Sequence, residues 1–180
     1  MNQEYLKIPK DRIAVLIGTK GEERRKLEKL TNCKIVVDSE EGEVTIRGEP
    51  IDVYQTVPIV KAIGRGFNPE IAQELLKEDY GLKIVEIREF TGKSKKALTR
   101  VKSRVIGTGG KTRTTIEDLT DTHIVIYGKT VSIIGTLENI EVAAEAVENI
   151  LRGSRHGSVY AWLEDKKKRL FQEFYERRQK

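Results

Sequence analysis

The chain has 180 residues, 38% hydrophobic and 34% charged, with a net charge of +5 and a pI near 9.2. This is the composition of a soluble globular protein; no run approaches the roughly 18 apolar residues of a membrane span, and residues 1–10 show no signal-peptide pattern. Cys33 is the one cysteine, which excludes an internal disulfide and fits a reducing cytoplasm.

In chain order, Glu4 to Ile8 reads as a strand and Asp11 to Leu16 as a short helical turn that feeds Gly18-Thr19-Lys20-Gly21. Glu22 to Leu30 has helical spacing, with Leu27 and Leu30 on one side. Strands Lys34 to Val37 and Val44 to Arg47 flank a turn at Glu41-Gly42. Pro50 to Ile63 is helical in pattern, and Pro58 inside it predicts a kink or break. Asn68-Pro69-Glu70 is a helix start, a capping side chain followed by proline at the first position. Ile71, Leu75 and Tyr80 then predict a connector helix that Gly81 stops.

Lys83 to Phe90 follows as a strand, and Ser94 to Val105 as a helix with Leu98, Val101 and Val105 on one face. After Gly107-Thr108-Gly109-Gly110 come a helix through Leu119, a strand Ile124 to Tyr127, a tight turn at Gly128-Lys129 and a strand Val131 to Ile134. Leu137 to Leu151 is an amphipathic helix carrying Ile140, Ala143, Val147 and Ile150. Ser158 to Lys180 is a final basic helix, expected to pack through Trp162.

The order of elements repeats because the sequence does. Ile17-Gly18-Thr19-Lys20-Gly21 recurs as Ile106-Gly107-Thr108-Gly109-Gly110, 89 residues later. At the same offset Arg24 meets Arg113, Glu28 meets Glu117, and Ile35-Val36 meets Ile124-Val125. A lone G-x-x-G carries almost no information; a duplicated one in matching context means that one structural unit was built twice. The expected division is residues 1–81, a first unit with its trailing connector, and 82–180, a second unit with the basic helix.

Charge follows the loops. Thr91 to Thr115 holds eight basic residues and no acid, whereas Ile116 to Leu151 holds seven acids and one lysine. A basic patch at a repeated glycine loop is the electrostatic signature of a nucleic-acid binder. Glycine lets backbone approach a phosphate without a Cβ in the way, and the helix that follows offers unpaired N–H groups to an anion. Phosphate motifs of nucleotide-binding enzymes fail on spacing. Val105 stands where a P-loop ending at Gly110-Lys111-Thr112 needs glycine. His123 and His156 have no metal-ligand neighbours in sequence, and no catalytic constellation is present. These features predict a binding protein, not an enzyme, with no cofactor.

A unit ordered strand–helix–GxxG–helix–strand–strand–helix resembles the KH domain of the eukaryotic and archaeal type (type I), so the expected fold is α+β with two tandem KH domains. In KH domains the loop clamps about four nucleotides of a single strand. The resemblance implies that Gly107, Thr108, Gly109 and Gly110 meet the sugar-phosphate and that Lys111 and Arg113 neutralise it. It implies further that Thr112 and Arg104 border the loop and that Ile124, Val125 and Ile126 floor a base groove. In the first unit Gly18, Thr19, Lys20, Gly21, Arg24 and Arg25 correspond, but Glu22-Glu23 places two carboxylates where phosphate would sit. The second unit is therefore the expected reader.

At full length the chain resembles the small-subunit assembly factors of the Pno/Krr (partner of Nob) group. Ala62 to Glu70 and Arg152 to Tyr160 carry the likeness at the ends of the two units. That resemblance implies binding near the 3′ end of the small-subunit rRNA precursor, with a Nob-type endonuclease and the archaeal initiation factor two alpha subunit as protein partners. The alternatives are a KH scaffold for protein contacts, or an RNA-degradation or transcription cofactor.

Overall fold

The computed structural model describes residues 1–179, which form two compact units, Met1–Leu82 and Lys83 onward. The first contains β1 (Asn2–Lys7), α1 (Lys10–Ile17), α2 (Glu22–Thr31), β2 (Lys34–Asp38), β3 (Glu43–Gly48), α3 (Pro50–Gly64) and the short α4 (Pro69–Ala72). The second opens within β4 (Tyr80–Glu86) and continues through α5 (Arg88–Thr91), α6 (Lys95–Ile106), α7 (Lys111–Thr120), β5 (His123–Tyr127), β6 (Thr130–Thr136), α8 (Leu137–Leu151) and α9 (His156–Arg178).

Each unit has a three-stranded sheet in which the last strand of the hairpin lies in the centre: β1-β3-β2 in one and β4-β6-β5 in the other. Both hairpins are antiparallel, with Ile35 opposite Ile46 and Ile124 opposite Ile133. In the first unit α3 packs on β1, β3 and α1; in the second α8 packs on β6, α6 and α7. Strand alternation sends Ile124, Val131 and Ile133 into a core shared with Val101, Val105, Ile116, Val147 and Ile150. Helix starts are fixed locally: the side chains of Ser94 and Thr136 accept from the amides of Ala97 and Asn139.

Four expectations need correction. Pro58 does not break α3, which runs unbroken from Pro50 to Gly64. Val53, Thr56, Ile59, Val60 and Ile63 are fully buried on either side of it, and the carbonyl that Pro58 cannot serve belongs to Tyr54, a residue 77% exposed and so open to water. The connector helix does not reach Tyr80. It ends at Ala72, passes into a 3₁₀ turn at Gln73–Leu76, extends at Lys77 and reverses at Asp79 (φ 63). Only Ala72 of this segment is buried, so little packing holds a longer helix, and Tyr80 joins the sheet. The strand expected through Phe90 stops at Glu86, and α5 turns the chain toward α6. The last helix begins two residues before Ser158, at His156; its expected end, Lys180, lies outside the described residues.

Candidate nucleic-acid interface

The two glycine loops have one backbone. Gly18, Lys20 and Gly21 take φ of 72, 54 and 76; Gly107, Gly109 and Gly110 take 75, 60 and 77. Three left-handed residues in four turn the chain from one helix into the next within a single 3₁₀ turn. Gly107 is demanded twice over. A Cβ there would stand 2.6 Å from the backbone nitrogen of Thr112 and closer still to its hydroxyl. At Gly109 a Cβ would meet nothing within 4 Å, so that position faces open space. Gly110 precedes α7 and offers it no side-chain cap, while the Lys111 amide that opens the helix donates to the Thr108 carbonyl.

Around the second loop Arg100, Ser103, Arg104, Gly107, Thr108, Lys111, Thr112 and His156 line an open cleft of about 500 Å³ with no acidic member. Arg104 borders the loop as expected, but its guanidinium is turned inward. It donates to the carbonyls of Ile150 (2.7 Å) and Ser154 (2.6 Å) and so closes the end of α8. Bonded to neutral oxygens, it keeps its charge. Arg12 does the same for the first unit, donating to Ile63 and Phe67 at 2.8 Å each. The two arginines do not align in the repeat, so the sequence comparison misses the shared clamp. Thr112 is buried and receives a hydrogen bond from the Tyr160 hydroxyl at 3.2 Å. It lies beneath the loop with its hydroxyl taken by Tyr160, and it also borders the cleft.

Arg113 is paired with Glu117 one turn on. The other oxygen of Glu117 accepts the amide of Ile124 at 3.0 Å, and Glu28 accepts the amide of Ile35 at 2.8 Å in the first unit. The repeated glutamate therefore ties the helix to the strand, and in the second unit it also orients Arg113 toward the loop side. The base groove is narrower than expected. Ile124 is 2% exposed and Ile126 packs on the same core, because alternate residues of a strand share a face. Val125 alone of the three points the other way. β5 is also an edge strand of its sheet, and the Ile124 amide on it is taken by Glu117. His156, which has no metal-ligand neighbours in sequence, lies at the loop: its Nε2 contacts the Arg104 carbonyl at 2.8 Å, and its ring lines the cleft. Only the packing of α9 brings it there.

The first loop is built alike but filled differently. The side chain of Glu23 lies on Gly18, so that a Cβ on Gly18 would meet Glu23 Cγ at 2.7 Å. Glu23 stands where the second unit has Thr112. One of its carboxylate oxygens is buried without a hydrogen-bond partner, as is Arg24 Nε. Arg25 folds back over Gly21. Lys20, the expected counterpart of Gly109, is exposed in the left-handed region. The six first-unit residues thus surround a loop whose first glycine is covered by the Cβ and Cγ of Glu23. Among the described residues no group of His, Cys, Asp and Glu could hold a metal, and no helix is long and apolar enough to cross a membrane.

Two units built on a β-α-α-β-β-α core, each with a GxxG loop between the two helices that precede its hairpin, define a tandem type I KH protein. Family models agree: residues 81–168 match a eukaryotic-type (type I) KH domain, and residues 3–61 match a KH domain. The chain is 44% identical to a KH domain-containing protein of Methanocaldococcus jannaschii, over 93% of this chain and 75% of that one. It is 32% identical to the pre-rRNA-processing protein PNO1 of Chaetomium thermophilum, over 72% of this chain and 53% of that protein, so it spans about half of that eukaryotic relative. A chain of the a/eIF2alpha–aDim2p–rRNA complex of Pyrococcus horikoshii superposes with a TM-score of 0.87 at 48% identity, covering 93% of this chain and 94% of the other. The chain belongs to the archaeal Pno1/Dim2-like family of two-KH-domain proteins.

Proposed function

We propose that this protein binds single-stranded RNA through its second KH unit, and that the RNA is small-subunit rRNA or its precursor, near the 3′ end. One observation carries the choice of unit. The second loop borders an acid-free cleft, while the first has the side chain of Glu23 lying on Gly18, with one of its carboxylate oxygens buried and unbonded. Gly107 to Gly110 take the sugar-phosphate, Lys111 and Arg113 supply charge, and the β5 edge with Val125 meets the bases. Arg104 and Thr112 hold this arrangement in place. Relatives named for pre-rRNA processing, and one crystallised with rRNA, support the substrate class.

The first unit is the proposed protein-facing half. The complex of the Pyrococcus relative also contains a/eIF2alpha, which supports the initiation factor's alpha subunit as a partner. A Nob-type endonuclease is proposed from the family resemblance alone. The test is titration of the full chain with a labelled RNA ending at the mature 3′ end of the small-subunit rRNA, against a shuffled sequence of equal length. Preference for the genuine end supports the reading; equal binding removes the 3′-end assignment, and no binding removes the RNA function.

A further inference from the structure

We propose that the second unit carries a second RNA subsite, a trench along α6 that holds the strand beyond the nucleotides clamped by the loop and ends on the ring of Phe90. This rests on reading the loop as a single-strand clamp. The loop cleft does not end at Arg104. A second cleft of about 760 Å³ adjoins it, sharing Arg100 and Arg104 as walls and running to Phe90 and Arg152. No acidic residue lines either. From Gly107 back to Ala97 the path follows about 15 Å of helix at 1.5 Å per residue, which exceeds the loop itself.

Three features suit this trench to a nucleic acid rather than to a water-filled crease. Arg100 is exposed and has no ion-pair partner among the described residues. Arg104 bonds the carbonyls of Ile150 and Ser154, so the negative end of α8 is covered at the point where phosphate would pass. At the far end Phe90 is half-buried, with the Arg152 guanidinium 5.3 Å from its ring centre. The guanidinium lies over the ring, which itself rests on the core, so the pair presents a flat cationic surface on which a base of any identity stacks. Arg152 also lies 3.6 Å from Glu148, a contact that is exposed and leaves the arginine available. The acids of α8, among them Glu141, Glu145 and Glu148, line a neighbouring cleft on the other side of Arg152, which borders both. An acidic peptide would answer the charge of the trench but not the ring at its end.

The test uses the full chain and a nested series of rRNA 3′-end oligonucleotides, from about four nucleotides, the length a GxxG loop holds, to about ten. Affinity of the wild type should rise along the series. Phe90→Leu, which keeps an apolar group on the core, and Arg152→Gln should each lower affinity for the longest RNA about fivefold. Both should leave the shortest within twofold. Arg152→Gln should also flatten the salt dependence for the longest RNA by about 0.7 in log–log slope, the value of one phosphate. An affinity that plateaus at the shortest length overturns the trench, and so do variants that leave the rise intact or weaken all lengths equally. Displacement of the longest RNA down to the affinity of the shortest by a poly-glutamate peptide, with Phe90→Leu silent, would assign the trench to an acidic protein segment instead. Failure of the loop reading is seen separately, as full binding of every length by a chain with two carboxylates in the second loop.

Discussion

Replacing Thr108 and Gly109 together by aspartate puts two carboxylates at the tip of the second loop and disturbs little else. Thr108 and Gly109 are exposed, and a Cβ on Gly109 meets nothing within 4 Å. Its φ of 60 is one that aspartate tolerates better than most residues, at a folding cost of about 1 kcal/mol. A carboxylate about 4 Å from a phosphate in a water-like medium repels it by about 1 kcal/mol. Two of them cost about 2 kcal/mol, or roughly a 30-fold weaker Kd at 1.4 kcal/mol per tenfold. The assay is fluorescence anisotropy of labelled rRNA 3′-end RNA with the full chain at fixed salt, with circular dichroism to show that the variant is folded. In the first unit Thr19→Asp/Lys20→Asp should change Kd less than about threefold on the same scale, because that loop is already followed by the acids Glu22 and Glu23 and is not the proposed reader. A folded second-loop variant that binds within twofold of the wild type would refute the assignment of the loop.

Stability predictions can be read at Trp162, the single tryptophan, which packs against the core of the second unit. Arg104→Met should destabilise that unit by about 2–4 kcal/mol in urea unfolding, since two charge-assisted bonds are lost and two carbonyls stranded. Arg104→Lys should recover less than half, because an ammonium cannot span both carbonyls as the planar fork does. Gly107→Ala should cost about 3 kcal/mol or more, as left-handed strain adds to a clash with backbone, whereas Gly109→Ala should cost about 1 kcal/mol. Glu117→Ala should cost about 1–3 kcal/mol by orphaning the Ile124 amide. Its RNA affinity should also fall, as Arg113 loses the carboxylate that orients it; stability without loss would show that Glu117 holds nothing in place.

Sequence alone determined the parts of this protein that depend on neighbours along the chain. A loop needing three left-handed residues in four has to be written mainly in glycine, and its repetition betrayed the duplicated unit. Periodicities of the helices and strands, the cap at Asn68, and the hairpin turn at Gly128-Lys129 are equally local, so the KH order was legible. Tertiary structure decided what depends on partners far away in sequence. Pro58 stays in its helix because the residues around it are buried, a fact no window of sequence contains. Tyr80 leaves the connector for a sheet whose central strand comes about fifty residues later. Arg104 borders the loop as its position implies, but its guanidinium is committed to carbonyls 46 and 50 residues on. Ile124 and Ile126 looked like a groove floor until the pleat turned both to the core. The physical reason is the same in each case. Backbone conformation is selected by steric demands within a few residues, whereas the partner of a side chain is selected by packing across the whole unit.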